Sequence, residues 1–223
     1  MFKNDRLTKA VLQKIDKAER MALRAMDDQR TEHEPSITDR FLGYVEANLD
    51  GEEIAGVRWE AKTLTSIGVN CQEVRHGADF FGVLLLDLPG YRVQKGFLAQ
   101  AKRIEPGQYF RNADQQDLRD QCESMLNRTP VSYVFLYSKM SGIRVVSAID
   151  VLASTPYSNP LDLSTWSLRE FFKAHFECFI GDYRVSGASR HELELMAADV
   201  RARNGIVIAG YSSDGDMPAN RFQ

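Results

Sequence analysis

Residues Gly77 to Arg103 read GADFFGVLLLDLPGYRVQKGFLAQAKR. The apolar run from Phe80 to Leu88 is bounded by Gly77 and by Pro89-Gly90, which predicts a buried strand rather than a helix. Pro-Gly is a strong turn signal. The chain from Arg92 to Ile104 then forms a second strand that closes in Gln-Ala-Lys. Residues two apart on a strand point the same way. Gln100 and Lys102 therefore share one face, while Ala101 points to the other. Asp79 opens the first strand beside them. An acidic residue next to an amide oxygen and a lysine suits a metal-and-phosphate site.

The whole chain has 223 residues, enough to bury a full core as one domain. The formal net charge of -3 argues against a histone-like DNA binder held by charge alone, but leaves room for a local basic groove. The three cysteines, Cys71, Cys122 and Cys178, are odd in number and form no CxxC pair. That predicts neither a zinc site nor a disulfide framework, and a reduced, cytoplasmic setting. The N-terminal stretch MFKNDRLTKAVLQKIDKAER lacks the apolar core of a signal peptide, and no apolar run approaches a membrane span.

On the N-terminal side of the hairpin, residues 3–30 carry a stripe of Leu7, Val11, Ile15, Ala18, Ala22 and Ala25 at helical spacing. A second helix starts near Glu34-Pro35-Ser36, since proline suits a first turn, and ends at Asp50-Gly51. Glu34 sits where a helix dipole favours a carboxylate. It either caps the helix or points across at the Asp79 site. Residues 56–66 read as an edge strand. His76, just before Asp79, is a ligand or base on one reading and a solvated residue on the other.

Beyond the hairpin, Ala113 to Asn127 predicts a helix, and Val131 to Tyr137 with Ile143 to Ala148 a strand pair. Trp166 to Ile180 predicts an apolar helix in which His175 is a core residue. His191 to Arg203 predicts a final helix stopped at Asn204-Gly205, followed by a short strand from Ile206 to Ala209. The interleaved pattern predicts a mixed α/β or α+β domain with a central sheet flanked by helices. Lys95, Arg103 and Arg111 are candidate phosphate contacts, and Tyr109-Phe110 a candidate stacking pair. There is no P-loop and no dinucleotide fingerprint.

Glu34, Asp79, Gln100 and Lys102 together supply two carboxylates, an amide oxygen and an amine. Hard oxygen donors suit Mg²⁺ or Mn²⁺, with water and substrate phosphate completing the shell. Such an ion neutralises charge on a phosphoryl group and acidifies bound water. A lysine beside it can orient the attacking water and stabilise a pentavalent transition state. That is the equipment for phosphodiester hydrolysis.

A helix-borne Glu, then Gly-Ala-Asp opening a strand, then Gln-Ala-Lys ending the next resembles the PD-(D/E)XK nuclease superfamily, with its restriction-endonuclease-like fold. The helix around Asp117 to Leu126 and the strand from Val131 to Tyr137 resemble the continuation of that core. The resemblance spans residues 30–150. It leaves residues 1–29 as an N-terminal helix and 151–223 as a helical extension of the nuclease domain. It implies that Asp79 is the main metal ligand, Gln100 and the Ala101 carbonyl further ligands, Lys102 the catalytic lysine, and Glu34 an accessory ligand. Glu46, and more weakly Glu32, compete with Glu34, and Gln121 faces the site from the following helix. Gln100 stands where Asp or Glu is commoner, which lowers the charge of the ligand set.

The function so implied is a metal-dependent endonuclease using Mg²⁺ or Mn²⁺ on double-stranded DNA, in bacterial restriction or anti-phage defence. With no sensor or helicase attached, the chain is expected to act as a homo-oligomer or as a subunit of a larger defence complex. Two other readings use the same residues. One is a non-catalytic nucleic-acid-binding or structural subunit, and the other is a nuclease of RNA or of structured junctions.

Overall fold

The computed structural model describes residues 5–31, 33–65, 77–155, 158–187 and 189–212. Two helices come first, α1 (Asp5–Asp27) and α2 (Glu34–Leu49). They are followed by β1 (Glu53–Ile54), β2 (Val57–Thr65), and the hairpin of β3 (Phe80–Leu88) and β4 (Tyr91–Arg103). The order continues through α3 (Asn112–Leu126), β5 (Ser132–Ser138), β6 (Gly142–Ser147), α4 (Ala148–Ala153) and β7 (Trp166–Ser167). It closes with α5 (Leu168–Phe176), α6 (Arg190–Val200) and β8 (Asn204–Ser212). Glu32, His76 and Cys71 lie outside the described residues.

These strands form one mixed sheet in the order β1-β2-β8-β3-β4-β5-β6-β7. The hairpin stands at its centre. Pro89-Gly90 closes it, with Leu88 opposite Tyr91 and Gly90 at φ +71°, a conformation that costs glycine little. β3 pairs in parallel with β8, and β4 in parallel with β5; the other pairs are antiparallel. Strand alternation then divides the core in two. Phe80, Phe97, Ala99, Ala101 and Phe135 face α1, α2 and α5. Phe81, Leu98, Val134 and Leu136 face α3, α4 and α6. The architecture is a mixed α/β sheet with helices on both faces. No helix among the described residues is long and apolar enough to cross a membrane.

The stripe read in the first helix is the face that α1 buries. Other expectations need correction. The strand at residues 57–65 is not at the edge: β1 covers one side of β2 and β8 the other. Residues 151–223 do not form a purely helical extension, because β8 lies in the middle of the sheet. It is also longer than the short apolar run suggested, pairing with β2 from Thr65↔Asn204 to Val57↔Ser212. The helix expected from Trp166 begins at Leu168. Ser167 accepts the Glu170 N–H, and Glu170 returns the bond to the Ser167 N–H, a capping box that fixes the start. Asn204-Gly205 does not stop the last helix. Arg201 does, taking φ 54° and donating its N–H to Ala197 and Ala198.

Lys95 is buried rather than available to a phosphate. Its ammonium donates to the main-chain oxygens of His175 (2.5 Å), in the last turn of α5, and Ile180 (2.6 Å), just past its end. A cation there satisfies helix-end carbonyls and suits the negative end of the helix dipole. Burial pushes the pKa of Lys95 down. Burial, with Lys95 close by, pushes that of His175 down to about 3. His175 is therefore a neutral core residue packed edge-on against Phe97. Arg111 pairs with Asp114, and Phe110 covers the edge of the core.

Candidate active site

Three strand ends and one helix start meet at one end of the sheet. Phe80 lies opposite both Ala99 on β4 and Asn204 on β8. Asp79, one residue before β3, donates its N–H to Ala99 (2.9 Å) and accepts the Asn204 N–H (3.1 Å). Its backbone is thus held from both sides. Its carboxylate reaches over β4, where Oδ2 accepts the Ala101 N–H (2.8 Å) and a second bond from Gln100 Nε2. In an antiparallel ladder a residue's N–H and C=O point to the same neighbour. The Ala101 carbonyl therefore faces the Asp79 side as well.

Gln100 is buried, with 2% of its surface exposed. Its amide nitrogen serves Asp79, but its Oε1 has no hydrogen-bond partner among the described residues. A buried acceptor without a donor costs about 1–3 kcal/mol. With the amide turned over, the same oxygen would face a cation held by Asp79. Lys102, two residues on, shares the face of Gln100 and lies near Cys122 of α3, whose thiol burial pushes up to about 12. Gln121 is the neighbour of Cys122 on that helix.

Glu34 comes from the other side of the sheet. It opens α2, and its side chain crosses the end of β4. Oε1 accepts the Arg103 N–H (2.9 Å), and Oε2 lies 3.8 Å from Lys102 Nζ. Further along α2, Thr38 donates to the Glu34 carbonyl (3.1 Å) and lies 3.0 Å from the Tyr137 hydroxyl on β5. Asp39 accepts from the Asn204 side chain (2.8 Å). Two strands thus fix the helix start that presents Glu34. Glu46, its competitor, is turned away, with its carboxylate holding the N–H (3.0 Å) and hydroxyl of Thr63 on β2.

Asp79, Gln100, Ala101 and Lys102 therefore stand together, and Glu34 reaches Lys102. The donor set is all oxygen, as Mg²⁺ or Mn²⁺ prefers. Its charge is modest: among the described residues no three His, Cys, Asp or Glu side chains form a metal-binding group. Asp79, the Gln100 oxygen and the Ala101 carbonyl are oxygen donors of the kind a divalent ion takes, and Glu34, held by the Arg103 N–H and near Lys102, borders them.

Burial pushes the pKa of Asp79 from 3.8 to about 6. The Ala101 N–H and Lys102 oppose the shift, and the charge of Glu34 adds to it. A raised carboxyl pKa favours the folded state at low pH, and this contribution is lost as pH rises through the folded value. From about pH 4 to about pH 6 the ion-free protein should lose about 3 kcal/mol from this group. Asp79→Asn removes the ionisation while keeping an acceptor for Ala101. Thermal melts with EDTA should show its Tm above wild type by about 6–10 °C at pH 7 and level with it at pH 4. A gain that did not change with pH would contradict the burial of this charge.

The sequence reading did not find Arg203, which stands beside Asp79 on the far side from β4. The signal was present in the apolar run after Asn204, but its pairing partner is distant in the sequence. No family model, curated protein or solved structure matches this chain.

Proposed function

We propose that the chain is a metal-dependent nuclease of the PD-(D/E)XK kind, hydrolysing phosphodiester bonds of double-stranded DNA. The observation that carries this reading is the meeting of Asp79, Gln100, Ala101 and Lys102 at one sheet end, with the Gln100 oxygen buried and unpartnered. The order of elements agrees with it: α2 supplies the Glu, the hairpin supplies the Asp and the Gln-x-Lys, and α3 and β5 follow.

Asp79, Gln100, the Ala101 carbonyl and Glu34 would hold the ion. Mg²⁺ or Mn²⁺, when bound, neutralises phosphoryl charge and lowers the pKa of coordinated water. Lys102 orients the attacking water and stabilises negative charge building on the phosphoryl oxygens. Glu34, 3.8 Å from that amine, keeps it aimed at the site. Hydrolysis adds water across one P–O bond and leaves a phosphomonoester and a hydroxyl. By analogy with the family, the setting is bacterial restriction or phage defence in the cytoplasm, as an oligomer or a subunit of a larger complex.

The two-carboxylate donor set favours one second reading, a nuclease-like module that binds DNA without cutting it. Plasmid DNA incubated with the protein and Mg²⁺ or Mn²⁺ separates the two. Nicking or linearisation abolished by EDTA supports the nuclease, and retention of DNA in a gel shift without cleavage supports the module. Parallel RNA and junction substrates assign the nucleic acid.

A further inference from the structure

β8 brings two arginines to the border of the site. Asn204 lies opposite Phe80 in the parallel pair, and its N–H reaches the Asp79 carbonyl. Arg203 therefore stands beside Asp79, one strand over. It is exposed, and its charge favours the Asp79 carboxylate. Two residues earlier, Arg201 ends α6 in the left-handed conformation with its side chain exposed. Gly77 lies directly against it: a Cβ on Gly77 would come within 2.5 Å of the Arg201 oxygen. Arg201 and Gly77 form one lip of a cleft of about 290 Å³ between α3 and α6, floored by Ala78 and Leu98.

Some exposed arginines hold a carboxylate: Arg92, Arg111, Arg184 and Arg190 each do, and so does Arg128 across the cleft, on Asp199 (2.9 Å). Others, Arg6, Arg24 and Arg58 among them, hold none among the described residues, and neither do Arg201 and Arg203. In a chain of net charge -3, two exposed guanidiniums without carboxylates, next to a candidate phosphate-cleaving centre, form a local positive border. β4 and β8 flank β3, so Arg203 and Lys102 lie about two strand spacings, roughly 10 Å, apart. One DNA strand carries a phosphate about every 3.4 Å along its axis, so the two cations can engage one strand a few nucleotides apart.

We propose that Arg203 and Arg201 are phosphate contacts that carry the backbone of bound duplex DNA away from the Asp79–Lys102 site, along the mouth of the α3–α6 cleft. The choice of ligand rests on the nuclease reading. The two arginines position the duplex and take no part in the chemical step.

The test is fluorescence anisotropy of a short labelled duplex across a salt series, with Ca²⁺ replacing Mg²⁺, on wild type, Arg203→Gln, Arg201→Gln, Arg203→Lys and Arg92→Gln. Each glutamine variant at the border should weaken binding about tenfold and lower the salt slope by about 0.9. Arg203→Lys should keep the slope, and Arg92→Gln, at the opposite end of the hairpin, should bind as wild type. Unchanged affinity and slope in both border variants overturns the proposal, even if wild type cuts DNA with Mg²⁺. Lost binding in those variants, with wild type never cutting under Mg²⁺ or Mn²⁺, sustains the contacts and removes the nuclease reading. A wild type that binds no duplex overturns both.

Discussion

Gly96→Ala is expected to destabilise the fold by about 3 kcal/mol or more, a large fraction of a typical folding stability. Gly96 lies on β4 opposite Val83, and on its other side it exchanges both main-chain bonds with Asp182 (2.9 and 2.8 Å). That bridge lets the segment after α5 pack on β4 before β5 begins to pair. A Cβ at this position would meet the Val185 oxygen at 2.3 Å and the Gly82 oxygen at 2.4 Å. Both are backbone atoms, so no rotamer change relieves the clash. Asp182 is also held by Thr129 (2.6 Å) and Arg184 (2.7 Å), so the segment cannot move off cheaply. Urea unfolding followed by circular dichroism measures the loss. Gly43→Ala on α2, where the new Cβ has nothing within 4 Å, should gain about 0.5–1 kcal/mol in the same assay. Equal effects at the two glycines would contradict the packing described for β4.

The second large effect separates two roles within the site. Lys102→Ala should slow single-turnover DNA cleavage by about 10³-fold or more while leaving Mn²⁺ affinity within a few-fold of wild type. Asp79→Ala should lose both, because its carboxylate is the one to which Gln100 and Ala101 are tied. Among the described residues the Lys102 amine makes one ion-pair contact, with Glu34 at 3.8 Å, and no hydrogen bond of the Asp79 cradle depends on it. Gln100→Glu belongs to the same series. It restores a third carboxylate and should tighten Mn²⁺ binding, at the cost of repulsion with Asp79 in the ion-free protein. Quenched-flow cleavage and calorimetric Mn²⁺ titration read these quantities independently. Parallel losses of metal affinity in Lys102→Ala and Asp79→Ala would show that the lysine is structural.

The hairpin was legible because its signals are local. Pro-Gly bounds the turn, the apolar run is too short and too well bounded for a helix, and alternation places Gln100 and Lys102 together. The helix from Glu34 was legible for the same kind of reason, in its proline. The choice between Glu34 and Glu46 was not, because both lie on α2 and only tertiary partners divide them: the Arg103 N–H for one, Thr63 for the other. The place of β8 was hidden by distance, since its ladder with β2 joins residues near 60 to residues near 210. Asn-Gly, a good turn signal in general, here marks the start of a buried strand instead. Lys95 misled because a lysine on a hairpin is usually solvated, whereas the segment after α5 folds over this one. The starts of α5 and α6 are written in the sequence as the capping boxes Ser167-x-x-Glu170 and Ser189-x-x-Glu192, the first of them masked by the apolar Trp166 just before it.

The central claim is that Asp79, Gln100 and Glu34 hold a divalent ion beside Lys102. Isothermal calorimetry of Mn²⁺ binding to the ion-free protein tests it most directly. The account predicts one site per chain in wild type, absent in Asp79→Ala, weakened in Glu34→Ala and retained in Lys102→Ala. Mn²⁺ binding that is undetectable in wild type, or unchanged when Asp79 is removed, would contradict it.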